Sequence, residues 1–143
     1  MLLKRNNIIV ILVLIVSFLG FVDATYLTVK DYLGQVPPCS IVEGCEQVLT
    51  SSYSKFLGLP VSMFGVFYYL LVFLLAAFYL DLKIEKILKF LSILPIVGFL
   101  ATLYFVYIQL FVLNYICLYC MFSALSSTLL LFLGFMIRRN LKF

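Results

Sequence analysis

The sequence predicts an all-α membrane protein: a bundle of four transmembrane helices with an extracytoplasmic loop that contains a short surface helix. Of the 143 residues, 66% are hydrophobic and only 11% are charged, and the mean hydropathy is +1.23. A soluble domain of this length leaves many residues facing water and could not bury so much apolar surface. The apolar residues form long continuous runs, which favours helices over the alternating pattern of β spans.

Four runs are long enough to cross a hydrocarbon core of about 30 Å, which takes about 20 helical residues. Pro95 and Gly98 predict a bend in the third of them, which membrane helices tolerate. We expect a single domain over 1–143, with an outer loop at 30–58. The spans lie at about 7–29, 59–80, 89–113 and 115–137.

Basic residues indicate the orientation of the four spans. Eight of the ten Lys and Arg residues fall on the side that holds both termini, and only Lys30 and Lys55 fall on the other side. Because cytoplasmic segments carry the excess of Lys and Arg, we expect a multi-pass plasma-membrane protein with both termini cytoplasmic. These short clusters between apolar runs indicate contact with membrane lipid and no nucleic-acid partner.

The first span has a second interpretation. Lys4 and Arg5 followed by an apolar run and Val22–Ala24 resemble a cleaved signal peptide. However, the apolar character continues to Val29, and cleavage would leave three spans and break the charge pattern. We therefore expect the segment to remain as a span.

All four cysteines fall on the extracytoplasmic side, where disulfides persist. Cys117 and Cys120 form a C-x-x-C pair, and at helical spacing they share one face and lie close enough to bond. So short a loop makes a poor structural staple but suits repeated opening and closing. With Asn114 as N-cap, the helix N-terminus would favour a thiolate at Cys117.

Cys39 and Cys45 lie six positions apart in the loop, after two prolines and around Gly44, where a soluble protein could reach them. The residues that follow predict a helix over 48–57, ended by Gly58 and Pro60, that lies on the membrane surface as a lid. A connecting surface helix without that role is the alternative. In either case the apolar face of the helix over 48–57 would consist of Val48, Leu49, Tyr53, Phe56 and Leu57.

Two dithiol pairs can pass electrons by thiol–disulfide exchange, and membrane quinone is an acceptor within reach of the fixed pair. A membrane protein with structural disulfides, or with a metal bound by four thiolates, is the alternative from a different class. A DsbB-type enzyme also has four spans and two cysteine pairs, but in the opposite order. The absence of histidine excludes a His-dependent hydrolase and a His-bearing zinc site.

Five segments together form a specific pattern: Asp23–Thr28, Pro38–Ser40, Cys45–Ser51, Gly58–Gly65 and Cys117–Cys120. Through them the chain resembles the vitamin K epoxide reductase family over about 23–124. The resemblance implies a helical bundle around a quinone, which could be ubiquinone, menaquinone or vitamin K. It also implies that Cys117 and Cys120 are the quinone-side pair, with Cys120 nearest the ring.

The resemblance further implies that Cys39 and Cys45 form a shuttle pair organised by Ser51. Cys39 would meet a thioredoxin-fold, DsbA-like protein acting in trans, and Cys45 would exchange with Cys117. The implied function is oxidation of this partner coupled to quinone reduction, which supports disulfide formation in secreted proteins. We expect the quinone site to be lined by Val61, Ser62, Gly65, Tyr119 and Ala124.

Two departures from the family pattern concern the quinone contacts. Val61 and Ala124 stand where vertebrate members carry an asparagine and a tyrosine, so epoxide reduction is not the expected activity. Asp23, the only acid within a predicted span, could handle protons, form a structural hydrogen bond or reach interfacial water. Tyr104, Tyr107 and Gln109 in the third span either face the quinone or pack in the bundle.

Overall fold

The computed structural model describes residues 1–39 and 44–141. Ser40 and Lys142, which entered the family resemblance and the charge pattern, lie outside the described residues. Four long helices are apolar enough to cross a membrane, which confirms the predicted all-α bundle. They are α1 (Leu2–Tyr32), α3 (Val61–Leu82), α4 (Glu85–Tyr107) and α5 (Leu118–Asn140).

The helices start and end a few residues away from the predicted span limits. α1 continues through charged residues at both ends, because lysine and arginine are good helix formers outside the apolar core. Lys83 adopts a left-handed conformation with φ of 55°, which ends α3 and allows α4 to begin at Glu85. α4 continues through Pro95 and then into a π-helical segment, Ile108–Leu113.

The four helices pack in a ring, in which α1 contacts α3 and α5, and α4 contacts the same two neighbours. Their buried apolar side chains concentrate in the half of the bundle near the termini, where Val10, Val72, Leu91 and Leu130 have no exposed surface. Large apolar side chains on the outer faces remain exposed, as expected where lipid is the solvent. Tight apolar packing therefore holds the four helices together in the half of the bundle near the termini.

Polar contacts join the helix ends at the basic end of the bundle. The Arg5 guanidinium donates a hydrogen bond to the Asn140 side chain, and Asn140 Nδ2 donates to Asn6 Oδ1 at 2.9 Å. Lys83 Nζ donates to Asn7 Oδ1, also at 2.9 Å. The two termini and the turn between α3 and α4 therefore meet at one end, and the cysteines lie at the other.

The loop between α1 and α3 does not contain the predicted helix over 48–57. Its helix, α2, is short (Cys45–Leu49), and a 3₁₀ turn (Ser52–Ser54) follows it. Strands β1 (Lys55–Phe56) and β2 (Leu59–Pro60) then pair antiparallel, with Lys55 opposite Pro60. Leu57 and Gly58 have φ of 54° and 81°, and two such residues form a tight hairpin turn, so Gly58 leads into the return strand β2 and does not end a helix.

Candidate active site

Cys117 and Cys120 lie where α5 begins, and both are free thiols. Cys117 is itself the N-cap of α5 and is fully buried, whereas Cys120 is partly buried. The prediction of Asn114 as N-cap is wrong, because Asn114 has φ of 56° and ends the π-helical segment. Asparagine tolerates this left-handed conformation, so the chain turns there and α5 starts later.

The π-helical segment holds Gln109 against the start of α5. The side-chain oxygen of Gln109 accepts a hydrogen bond from the backbone N–H of Cys117 at 3.0 Å, and its backbone carbonyl accepts one from Tyr115 at 3.1 Å. Gln109 is only 3% exposed. Single π-helical turns inside helices often occur at functional sites. This segment fixes the backbone that carries the Cys117 sulfur.

The surroundings of Cys117 favour its thiolate form. The thiol of Cys120 donates a hydrogen bond to the Cys117 sulfur, and backbone N–H groups of Cys120 and Tyr119 also point toward it. These donors outweigh the opposing effect of burial and lower the pKa of Cys117 from 9.0 to about 7. The N–H groups do not form a regular capping hydrogen bond, so the main cause is the neighbouring thiol. Cys117 is therefore the more acidic, exchange-competent thiol.

Cys39 and Cys45 are joined by a disulfide, with their Cα atoms 6.2 Å apart. Cys45 is the first residue of α2 and packs in one cluster with Val48 and Cys117, against which Cys39 and Cys120 also pack. Gly44 makes this approach possible, because a Cβ there would overlap the backbone of Ile116. The chain thus brings all four sulfur-bearing residues to one place.

Two of the four cysteines are partly exposed and two are buried. Cys39 is partly exposed in the loop between α1 and α3, while Cys45 and Cys117 are 2% and 0% exposed. Cys120 lies in the wall of a large cavity. Cys120 is also partly exposed, so the buried Cys45 and Cys117 pack together with a partly exposed cysteine on either side.

The cavity has a volume of about 810 Å³ and lies between the four long helices, in the half of the bundle nearer the cysteines. Its walls are mostly apolar, and residues of the 30–58 loop, including Leu49 and Ser51, close part of it. A volume of this size is typical of a small-molecule site. Gly98 contributes space, because a Cβ there would overlap the ring of Tyr68.

The residues expected around a quinone lie in two places. Val61, Ser62, Gly65 and Ala124 line the cavity, and Ser62 also accepts a hydrogen bond from Thr28 at 2.9 Å. Tyr119 is not among the described lining residues. Its hydroxyl donates to the Pro38 carbonyl at 3.2 Å and its ring packs on Tyr26, so it contacts the segment before Cys39 instead.

The structure places Ser51 at the end of α2. Its hydroxyl donates a hydrogen bond to the Val48 carbonyl at 2.7 Å, and its own carbonyl accepts one from the Ser54 hydroxyl, also at 2.7 Å. These contacts turn the chain from α2 into the 3₁₀ segment. They are consistent with a role in ordering the shuttle segment, which stays a prediction.

Several polar cavity residues were not predicted from the sequence. Tyr68, Ser123 and Ser127 line the cavity, as does Asp23. In α5, Cys120, Ser123 and Ser127 share one face by their spacing, and this pattern could have identified the two serines. Gln109 also lines the cavity, whereas Tyr104 and Tyr107 are more than half exposed and are not among the described lining residues.

The fold and the cysteine arrangement define a four-helix membrane protein with a loop disulfide packed against a free C-x-x-C pair beside an apolar cavity. The model of the vitamin K epoxide reductase family matches residues 11–135, and the chain belongs to this family. Membership indicates a membrane thiol–disulfide oxidoreductase that works with a quinone. None of the curated proteins compared with the chain matches it.

The described residues do not support the alternative of a thiolate metal site. No three His, Cys, Asp or Glu residues within 1–39 and 44–141 are grouped so that they could hold a metal ion. Two of the four sulfurs are also in a disulfide and are not available as thiolate ligands.

Proposed function

We propose that this protein oxidises a thioredoxin-fold partner outside the cytoplasm and transfers the electrons to a membrane quinone, and so supports disulfide formation in exported proteins. The basic end of the bundle would face the cytoplasm, because Lys and Arg accumulate there. The loop between α1 and α3 and all four cysteines would then face outward. This side is where disulfide chemistry operates.

The observation that carries the proposal is the contact between the two cysteine pairs, in which the buried Cys45 and Cys117 pack together and each has a partly exposed partner. A protein partner can reach only a sulfur at the surface, and Cys39 is the partly exposed member of its pair. Cys45 is buried in the same cluster as Cys117, which is the contact that exchange between the two pairs requires. Cys120, which lines the cavity, would make the last transfer.

Each exchange moves two electrons and breaks one disulfide as it forms another. The partner's thiols reduce Cys39–Cys45 and leave with a disulfide; Cys45 then attacks Cys117 in a Cys117–Cys120 disulfide, and Cys39 closes the loop disulfide again. Cys120 is the leaving group in the first attack. The acidity of Cys117 helps the second attack, in which Cys39 displaces Cys117 from Cys45, because a thiol of low pKa is the better leaving group. The state with a Cys39–Cys45 disulfide and two free thiols follows this transfer.

The cavity fits a quinone by its size and its largely apolar walls, which suit an aromatic ring with an isoprenoid tail. When bound, a quinone supplies an acceptor for two electrons and two protons. Val61, Gly65 and Ala124 leave room for the ring, and Cys120 presents its sulfur in the wall. Oxidation of the two thiols closes the Cys117–Cys120 disulfide.

The test separates the two halves of the relay. With Cys39→Ala or Cys45→Ala, a small dithiol should still support reduction of a short-chain ubiquinone, because it can reach Cys117 and Cys120 without the shuttle pair. Oxidation of a reduced thioredoxin-fold protein should stop. The shuttle role would be refuted if either cysteine variant oxidised the thioredoxin-fold protein at the rate of the unchanged chain. Asp81→Asn, at the opposite end of the bundle, serves as a control.

A further inference from the structure

Three buried polar atoms among the cavity-lining residues have no hydrogen-bond partner in the described chain. They are the Asp23 carboxyl Oδ2, the Tyr68 hydroxyl and the Ser127 hydroxyl. Leaving such an atom unpaired costs on the order of 1–3 kcal/mol, so each is expected to have a use. A fourth atom of this kind, the Thr25 hydroxyl, belongs to a residue that is not among the lining residues.

Asp23 lies at nearly the same depth as Cys120. The ring of Tyr26 packs on that of Tyr119, which sets the register between α1 and α5. At a rise of about 1.5 Å per residue, Asp23 lies about 4.5 Å deeper than Tyr26, and Cys120 about 1.5 Å deeper than Tyr119. The carboxyl and the cavity-facing sulfur therefore differ in depth by only about 3 Å.

Tyr68 and Ser127 form a second polar point further into the bundle. Ser127 follows Cys120 by seven residues on the same face of α5, about 10 Å deeper. Tyr68 interacts with Ser127 without a regular hydrogen bond, and the neighbouring Tyr69 donates to the Ser123 carbonyl at 2.9 Å. The cavity thus has polar atoms without a regular hydrogen bond at two levels, whereas Tyr69 and Ser123, which lie between these levels, hydrogen-bond each other.

We propose that Asp23 is the acid that delivers a proton to the quinone oxygen next to Cys120, and that the Tyr68 and Ser127 hydroxyls hydrogen-bond the opposite oxygen. The inference deepens the proposed function and rests on it. A para-quinone carries its two oxygens at opposite ends of an apolar ring, which matches polar groups at two levels.

The state of Asp23 fits the role of an acid. It is 9% exposed, and no ion pair involves it within the described residues. An unpaired charge in a membrane interior is costly, so the buried position favours the protonated carboxyl. A negative charge at Asp23 would also oppose the thiolate at Cys117, with which it interacts electrostatically.

The step balances in atoms and electrons. Two thiols and one quinone become one disulfide and one quinol: the S–S bond forms, and two electrons and two protons pass to the quinone. Asp23 gives one proton to the near oxygen and regains one of the two protons that the thiols release. The other thiol proton ends on the far oxygen, so Asp23 is unchanged after each turnover.

The first experiment compares Asp23→Asn with Asp81→Asn, the same change in an exposed residue at the other end of the bundle. The asparagine amide can donate a hydrogen bond but cannot release a proton. With dithiothreitol and a short-chain ubiquinone, Asp23→Asn should reduce quinone about 100-fold more slowly or worse. Its quinone affinity, measured by tyrosine fluorescence quenching of the oxidised protein, should change less than about threefold.

Infrared spectroscopy supplies a readout independent of turnover. A protonated-carboxyl band that shifts when the short-chain ubiquinone binds should be present in the unchanged chain and in Asp81→Asn, and absent in Asp23→Asn. A band that persists in Asp23→Asn, or does not respond to the quinone, would overturn the assignment of the acid.

The second experiment removes the hydroxyl groups. Tyr68→Phe and Ser127→Ala should each weaken quinone binding about fivefold, the effect of one hydrogen bond, whereas Tyr104→Phe on the exposed face should not. Equal affinities in all variants would refute the far contact. If the unchanged chain reduces no quinone, the proposed function itself fails; if it does and Asp23→Asn is as fast, only the acid is refuted.

Discussion

The pKa of Cys117 is set mainly by one neighbouring group, and two substitutions of Cys120 test this directly. Cys120→Ala removes the thiol that donates to the Cys117 sulfur, whereas Cys120→Ser keeps a donor at the same position. In both variants the loop disulfide remains and Cys117 is the single free thiol. A titration of either variant therefore reports one sulfur.

The expected effect follows from the position of the pKa near neutrality. At a pKa of about 7, half of Cys117 is thiolate at pH 7. Without the Cys120 donor, burial opposes the remaining backbone donors and the pKa returns toward 9.0, where about 1% is thiolate at pH 7. The thiolate fraction in Cys120→Ala should thus fall by up to about 50-fold, while Cys120→Ser should keep a pKa near 7.

The sign of the linked stability change also follows. Because the folded pKa lies below the ordinary value, the thiolate stabilises the reduced protein fully above about pH 9 and loses this contribution as the pH falls through 7. Two pKa units correspond to about 3 kcal/mol. Cys120→Ser should retain most of this pH dependence between pH 7 and 9, and Cys120→Ala should lose most of it.

The assay is the ultraviolet absorbance of the thiolate as a function of pH, with thermal unfolding across the same range. Alkylation by a small membrane-permeant reagent supplies a second titration, since only the thiolate reacts. Equal pKa values in Cys120→Ala and Cys120→Ser would show that the Cys120 thiol does not lower the pKa of Cys117.

Four further predictions follow from the site. Gln109→Leu leaves the Cys117 N–H unpaired and should lower the free energy of unfolding by about 1–3 kcal/mol, measured by thermal unfolding. An unchanged stability would show that this hydrogen bond is dispensable. Gly44→Ala pushes α2 away from Ile116 and should slow electron transfer between the cysteine pairs about tenfold or more, with an unchanged rate from dithiothreitol to quinone. An impermeant alkylating reagent should label Cys39 in intact, reduced cells from outside; labelling only from the cytosol would contradict the orientation. Solvent extraction of the purified protein should yield quinone by its ultraviolet spectrum, whereas a stoichiometric metal would favour a binding protein.

The spans were predictable because apolar side chains in continuous runs have few alternatives in a chain of this length. The ends of the helices were less predictable than the spans, because the charged residues near Lys4 and Lys30 continue a helix as readily as they end one. The grouping of the four cysteines into two pairs followed from their spacing. The close approach of Gly44 to Ile116, which brings the pairs together, depends on tertiary packing and has no local signal.

The loop and the turn before α5 were predicted wrongly for a physical reason. The residues at 48–57 have a helical apolar pattern, but left-handed conformations at Leu57 and Gly58 favour a hairpin. Asn114 resembles an N-cap and instead adopts the left-handed conformation that asparagine also tolerates. Glycine can end a helix or form a hairpin turn, and asparagine can cap a helix or adopt a left-handed turn. In both places the surrounding packing decides between the two structures.

The cavity was the least predictable feature, because its lining comes from every long helix and from the loop. Which side chains face it depends on helix rotation, and a continuously apolar helix gives little sign of its rotation. Tyr119 and Tyr68 illustrate this: the first was expected in the cavity and contacts Pro38, whereas the second lines the cavity beside Gly98.

The most direct measurement is a single turnover without oxygen. Protein with the Cys39–Cys45 disulfide and free thiols at Cys117 and Cys120 is mixed with a short-chain ubiquinone, and quinol and disulfides are quantified together. We predict one quinol formed for each Cys117–Cys120 disulfide, with the loop disulfide retained. Unchanged quinone with both thiols still open to alkylation would contradict the account.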